Sequence, residues 1–125
     1  MAKSIERYFR HLPAGQRIVR TCERHWVPAA DVYRLADGWL VKVDLAGVSP
    51  EEIEVTVGGP VLIIAGTRRD TLEIETVSHH QLEITYSRFE KTLRFPCPIE
   101  GARVETDYRD GLLLVRLRSR EDCAE

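Results

Sequence analysis

The fold is decided by residues 39–65, which read WLVKVDLAGVSPEEIEVTVGGPVLIIA. Every second residue is apolar in 39–45 and again in 53–57, which is the pattern of half-buried strands. A Gly-Gly pair then turns the chain into 61–65, where the side chains are apolar on both faces. Because a strand that is apolar on both faces is covered on both, this third strand is predicted to be central in its sheet.

A short polar stretch, Ser49-Pro50-Glu51-Glu52, separates the first two strands. Its residues predict a single helical turn, in which Pro50 takes the first position and Ser49 caps the N-terminus. Glu52 stands three residues after Ser49, which is the spacing of a capping box. We therefore expect a compact turn here rather than an open loop.

The C-terminal half continues the strand pattern. Alternating residues predict strands at 89–95, 104–108 and 112–117, and Asp110-Gly111 is a strong hairpin signal between the last two. With so many short strands and no crossover helix, the chain is predicted to be all-β, an antiparallel β-sandwich of the immunoglobulin-like kind.

A long segment from Gly66 to Ser87, called the excursion below, interrupts this pattern. Residues 72–76 and 82–86 within it also alternate between apolar and polar side chains. Connections without structure are uncommon above about 12–15 residues in compact domains. The excursion is therefore expected to carry a strand of its own.

Residues 1–25 form an N-terminal arm with a different pattern. Ile5, Tyr8, Phe9 and Leu12 fall at i, i+3, i+4 and i+7, which predicts a short helix with one apolar face. So short a helix is marginal alone in water and needs a surface to pack against. The arm carries six basic and two acidic side chains, a balance that would also suit contacts with nucleic acid. Because two aromatic residues complete the apolar face, a docking helix is favoured.

Length and composition exclude several classes. At 125 residues and 14.3 kDa the chain is expected to form one domain. No apolar run approaches the roughly 20 residues of a membrane helix, and no secretory signal is recognised. The three cysteines, Cys22, Cys97 and Cys123, contain no CxxC motif and are expected to be free thiols in a reducing cytoplasm.

Candidate catalytic and metal-binding residues are few. His79-His80 with Glu83 could be read as metal ligands, but adjacent residues of a strand point to opposite faces, and a polar loop tip is the better interpretation. The Gly-Gly pair at 58–59 lies between two strands, where a hairpin explains it without a phosphate. We therefore expect no metal site, no cofactor and no enzymatic activity.

A series of short motifs runs in a fixed order through residues 26–118. They are Trp26-Val27-Pro28, Asp31-Val32-Tyr33, Val43-Asp44-Leu45-Ala46-Gly47-Val48, Glu51-Glu52-Ile53-Glu54-Val55, Leu62-Ile63-Ile64-Ala65-Gly66, Tyr86-Ser87-Arg88-Phe89-Glu90-Lys91 and Thr106-Asp107-Tyr108-Arg109-Asp110-Gly111-Leu112-Leu113. In this order they resemble the α-crystallin domain of bacterial small heat-shock proteins. The resemblance divides the chain into the arm, this domain at 26–118, and a short polar tail at 119–125.

The resemblance implies an ATP-independent holdase, which binds unfolding proteins and prevents their aggregation. The arm would contact clients through Ile5, Tyr8, Phe9 and Leu12. In the family, a strand of the excursion crosses to a second copy, which here would pair residues 81–86 with 29–33 of the partner in a homodimer. The expected interface residues are Val32, Tyr33, Leu82, Ile84, Tyr86 and Lys91.

The family also has a peptide-docking groove. The resemblance implies that Val55, Val57 and Val104 line this groove here. Family members fill a neighbour's groove with an Ile-x-Ile motif from a C-terminal extension, and residues 118–125 contain no such motif. The groove is therefore expected to be empty, and the protein to be a dimer, a small oligomer or part of a hetero-oligomer with other small heat-shock proteins. The alternative is an interaction module, or auxiliary subunit, without chaperone activity.

Overall fold

The computed structural model describes residues 26–119 and the backbone of residues 9–11. Within these residues eight strands form, and a 3-10 turn, Pro50–Glu52, precedes the fourth. The strands are β1 (Phe9–His11), β2 (Ala30–Leu35), β3 (Gly38–Asp44), β4 (Ile53–Gly58), β5 (Val61–Thr67), β6 (Arg88–Arg94), β7 (Arg103–Arg109) and β8 (Leu112–Arg118).

The strands form two sheets, with the orders β1-β4-β5-β6 and β2-β3-β8-β7. Every neighbouring pair is antiparallel except β1 and β4, which are parallel. Tight hairpins join β2 to β3, β4 to β5 and β7 to β8, because antiparallel neighbours need only short connections. The predicted all-β architecture with antiparallel sheets is confirmed.

The core lies between the two sheets and takes alternate side chains from each. Val41 and Val43 of β3 meet the inward-facing residues of β4 and β5 in one apolar cluster. All four residues 61–64 at the start of β5 are buried, as the sequence predicted for a central strand. The fully buried apolar side chains are Val41, Val43, Leu45, Ile53, Val55, Val57, Leu62, Ile64, Phe89, Leu113, Val115 and Leu117.

The β7–β8 hairpin has the predicted turn chemistry. Asp110 (φ 53°) and Gly111 (φ 79°) both adopt left-handed backbone angles, which the turn of a two-residue hairpin requires. Nearby, the Tyr108 hydroxyl donates to the carbonyl of Leu45 at 2.7 Å. Burial raises the pKa of Tyr108, so this hydroxyl remains a donor and ties β7 to the end of β3.

The turn before β4 is present, but its predicted capping box is not. Pro50 takes the first position as expected, yet the Ser49 side chain makes no capping hydrogen bond. The Glu52 N–H donates instead to the Ser49 carbonyl at 2.9 Å. The Glu52 carboxylate pairs with Arg69 at 3.1 Å. A turn this short closes through its backbone, so the Glu52 side chain is left to pair with Arg69.

The arm is not helical where the structure describes it. Phe9–His11 form β1, an extended strand, and the predicted helix is wrong at these three residues. Its other apolar positions, Ile5, Tyr8 and Leu12, lie outside the described residues. The physical reason is a tertiary contact. The edge of β4 has unpaired backbone donors and acceptors, and pairing with them outweighs the weak helical preference of a short segment.

The excursion forms no strand of its own in the single chain, contrary to expectation. Residues 68–87 are without regular structure, although their alternating pattern is that of a strand. A strand needs a neighbour for its backbone hydrogen bonds, and the described part of this chain provides none beside the excursion.

Cys97 corrects the expectation of free thiols, because it is disulfide-bonded. It is half-buried in the loop between β6 and β7. Neither Cys22 nor Cys123 is among the described residues. A disulfide requires two Cα atoms within about 7 Å, a proximity that spacing along the chain does not reveal.

We predict that Gly66→Ala destabilises the sandwich by about 3 kcal/mol or more. A Cβ on Gly66 would lie 1.9 Å from the Glu52 carbonyl oxygen and 2.8 Å from the Phe89 ring, so β5 and the 3-10 turn would be forced apart. Gly59→Ala is the control: nothing lies within 4 Å of its added Cβ, and only its φ of 56° is strained, at about 1 kcal/mol. Urea unfolding measures both, and equal losses would contradict the prediction.

Candidate functional site

The first candidate surface is the edge of β4, where the docking groove was expected to be empty. It is not: β1 runs parallel to β4 with Phe9 opposite Val55 and His11 opposite Val57. The expectation of an empty edge is therefore corrected, because the chain's own arm supplies an extended partner for the unpaired backbone groups.

The three proposed groove residues do not share one environment. Val55 and Val57 are fully buried members of the core, whereas Val104 on β7 is half-buried and packs against that core. Alternation along β4 turns its valines inward, which accounts for the first two. The lining of the groove by these residues stays a prediction.

The second candidate surface is β2, at the edge of the other sheet. Its outer side carries no strand among residues 26–119, and four consecutive residues, 31–34, are exposed. Val32 and Tyr33, both predicted interface residues, are each 42% exposed. Since successive side chains of a strand point to opposite faces, β2 is open on both faces as well as at its edge. A strand with a free edge and exposed faces can pair with a further strand.

An ion pair stabilises the turn between β2 and β3. Asp37, between β2 and β3, accepts a hydrogen bond from the Arg116 guanidinium of β8 at 2.7 Å, and Arg118 lies 3.9 Å away. The hydrogen bond from Arg116 holds the pKa of the Asp37 carboxyl below its usual value. The carboxylate is therefore ionised at neutral pH and keeps the β2–β3 hairpin against β8.

The third candidate surface is the excursion, which exposes a concentration of apolar side chains. Leu82 is 75% exposed and lies with Leu72 and Ile84 along an open cleft of about 680 Å³. The exposed large apolar residues of this segment are Leu72, Ile74, Val77, Leu82, Ile84 and Tyr86. Contiguous apolar surface of this kind marks an interaction site.

The excursion is also acidic. Residues 70–87 contain four carboxylates and neither Lys nor Arg, and three of these carboxylates, those of Asp70, Glu73 and Glu83, border the cleft. The combination of an apolar floor and an acidic border favours an occupant that is apolar with basic side chains.

The remaining predicted interface residue, Lys91, lies apart from these surfaces. It is on β6, opposite Ile64 of β5, and is half-buried. The single chain therefore brings Leu82, Ile84 and Tyr86 together in one segment and Val32 and Tyr33 on one strand, but it does not bring Lys91 to either group.

Sequence reasoning missed Arg68, at the start of the excursion. Its guanidinium lies over the Trp26 ring, 3.6 Å from the ring centroid. Its Nε donates to the Thr85 carbonyl at 2.9 Å and its Nη1 to the Ala46 carbonyl at 3.2 Å. We call Trp26, Ala46, Arg68 and Thr85 the Arg68 cluster. The sequence offered no signal for the role of Arg68, because nothing in it distinguishes Arg68 from the neighbouring Arg69.

Two other kinds of feature are absent from the described residues. Among them no group of three or more His, Cys, Asp and Glu side chains is arranged to hold a metal ion. In the same part of the chain, no helix has the length and apolar character needed to cross a membrane.

Known proteins resemble the chain over most of its length. Heat shock protein 16 of Schizosaccharomyces pombe is 30% identical over 92 residues, which are 72% of this chain and 64% of that protein. Spore protein SP21 of Stigmatella aurantiaca is 28% identical over 97 residues, 78% of this chain and 57% of that protein. The chain spans less than two thirds of the length of these relatives.

Solved structures give the same result for the fold. Heat shock protein 16.0 from Schizosaccharomyces pombe superimposes with a TM-score of 0.69 at 27% identity, covering 81% of this chain and 93% of that one. The hspA protein of Xanthomonas axonopodis has a TM-score of 0.64 at 27% identity, covering 78% and 97%.

The family assignment follows from the sequence match and the fold together. The sequence model of the Hsp20/alpha crystallin family matches residues 31–125, which include every strand from β3 to β8 and most of β2. The chain belongs to the Hsp20/alpha crystallin family of small heat shock proteins.

Proposed function

We propose that this protein is an ATP-independent holdase, which binds unfolding proteins and keeps them from aggregating. The observation that carries the proposal is the membership of this chain in the Hsp20/alpha crystallin family. Binding to an unfolding chain requires only that apolar surface on both partners be removed from water. The effect on aggregation is then one of mass action, since the unfolded client is withdrawn from solution.

The working unit that we propose is a homodimer formed by strand exchange. Residues 81–86 of one copy would pair with β2 of the other, which would give the excursion the neighbour it lacks in the single chain. Two observations support this: the open edge of β2, and the exposure of Leu82 and Ile84.

In such a dimer the apolar residues of the exchanged segment, 81–86, would be covered, so we assign client binding to another surface. The arm is the proposed one, through Ile5, Tyr8, Phe9 and Leu12. Its backbone at Phe9–His11 is paired with β4, and a three-residue strand is held by few hydrogen bonds. Release of β1 would therefore present the arm to a client at small cost.

The second candidate is an interaction module or auxiliary subunit without general chaperone activity. The pairing of β1 with β4 favours it, because an edge that is filled from within the chain is closed to a neighbour's docking peptide. A protein of this kind would join mixed oligomers of small heat-shock proteins through its dimer interface alone.

The holdase and the module are distinguished by light scattering of a heat-labile enzyme warmed with the protein. We expect the full-length chain to suppress scattering, and a variant lacking residues 1–20 to lose that suppression while keeping the circular dichroism of the sandwich. Full activity in the truncated variant would move client binding to the sandwich. Absence of activity in both would favour the module.

We predict that Ile84→Asp converts the dimer to a monomer at micromolar concentration, because a carboxylate buried in the seam costs several kcal/mol. Val77→Asp is the matched control, since Val77 is fully exposed and lies outside the exchanged segment. Sedimentation velocity measures both variants. A dimeric Ile84→Asp protein would show that the exchange has been assigned to the wrong residues.

We predict that an Ile-x-Ile peptide binds the full-length chain weakly, with a Kd of about tens to hundreds of micromolar. Removal of residues 1–20 should tighten binding about tenfold, because β1 no longer competes for β4. Fluorescence anisotropy with a labelled peptide measures this, and an Asp-x-Asp peptide is the control. If the truncated variant binds no peptide at millimolar concentration, the edge of β4 is not a docking site.

A further inference from the structure

The Arg68 cluster lies where the two ends of the excursion meet the start of the domain. The Arg68 N–H donates to the Ser87 carbonyl at 2.9 Å, which brings the ends together. The Trp26 N–H donates to the Arg88 carbonyl at 3.1 Å and lies 3.2 Å from the Ser87 hydroxyl. The Trp26 ring in turn packs edge-on against Phe89, with 5.6 Å between the ring centroids.

One guanidinium joins three segments at this point. It stacks on Trp26 and donates to carbonyls of the β3–β4 connection at Ala46 and of the excursion at Thr85. It also lies 5.9 Å from the ring centroid of Tyr86. A planar group with donors in its own plane makes these contacts simultaneously, whereas a lysine ammonium is a point charge that cannot stack flat on a ring.

The contact with Thr85 bears on the orientation of the residues around it. In an extended segment the backbone donors and acceptors of successive residues point alternately to the two sides, as the side chains do to the two faces. In the extended strand that the proposed exchange would form, a Thr85 carbonyl held toward Arg68 would direct the backbone groups of Ile84 and Tyr86 to the opposite side. Those are the groups that a partner strand would use.

We propose that Arg68 is a positioning residue that sets the register in which residues 81–86 pair with the partner's β2. This inference rests on the strand exchange proposed above. A slip of one residue would place every side chain of the exchanged strand on the wrong face. By holding one carbonyl of that strand before the partner arrives, Arg68 removes the alternative register and reduces the ordering cost of dimer formation.

The test compares Arg68→Lys with Arg69→Lys in the full-length chain. Arg69 is the matched control, because it is adjacent, its side chain is 66% exposed, and it pairs with Glu52 rather than with the excursion or Trp26. We expect the dimer dissociation constant, from sedimentation equilibrium, to rise about tenfold to a hundredfold in Arg68→Lys. It should be unchanged in Arg69→Lys, and the melting temperatures of the two variants should agree when measured in the monomeric range.

A double-mutant cycle with Trp26→Leu separates positioning from general stability. If Trp26 acts through the guanidinium, Trp26→Leu should weaken the wild-type dimer but change the Arg68→Lys dimer little. Equal dissociation constants for Arg68→Lys and Arg69→Lys would overturn the inference while leaving the strand exchange intact. A wild type that stays monomeric at every concentration would overturn the exchange itself and, with it, the role of Arg68 in the dimer.

Discussion

The unpaired strand edge is the constraint on which the rest of this structure depends. Each sheet of an open sandwich ends in strands whose outward N–H and C=O groups have no neighbour, and such groups are costly to bury and prone to pair with other chains. Here two of these edges, those of β4 and β2, are treated differently. The edge of β4 receives β1 from the same molecule, whereas that of β2 is left open among the described residues.

The same constraint explains the irregular structure of the excursion. It has the alternating residues of a strand but not the neighbour that a strand requires, and it therefore remains irregular in the single chain. Two features of the single chain lack a neighbour. The excursion exposes Leu82 and Ile84, and β2 has exposed faces. In the strand exchange proposed above, each would provide what the other lacks.

The sequence predicted the sandwich well because alternation reports directly which side chains meet the core. It located β3, β4, β5 and β8, since each has an inner face that is buried completely. It failed at Phe9, where a helical spacing of apolar residues competes with a free edge elsewhere in the fold, and at Ser49, where a capping motif is present but the turn is too short to use it. Alternation also cannot say whether Val55 and Val57 face the core or a groove. Arg68 and Arg69 are indistinguishable in sequence, and only the position of Trp26 in space separates them.

The parallel pairing of β1 with β4 has a consequence for exchange between molecules. Fourteen residues connect His11 to Trp26, a length that reaches up to about 50 Å. No tight turn joins the two strands, so nothing in the hydrogen bonding requires them to belong to one chain. The advantage of pairing within the chain is an effective concentration on the order of millimolar. Where copies of the protein reach a similar local concentration, β1 would pair with a neighbour's β4 at nearly equal free energy. Molecules would then be linked by the same contacts that β1 and β4 make within one chain.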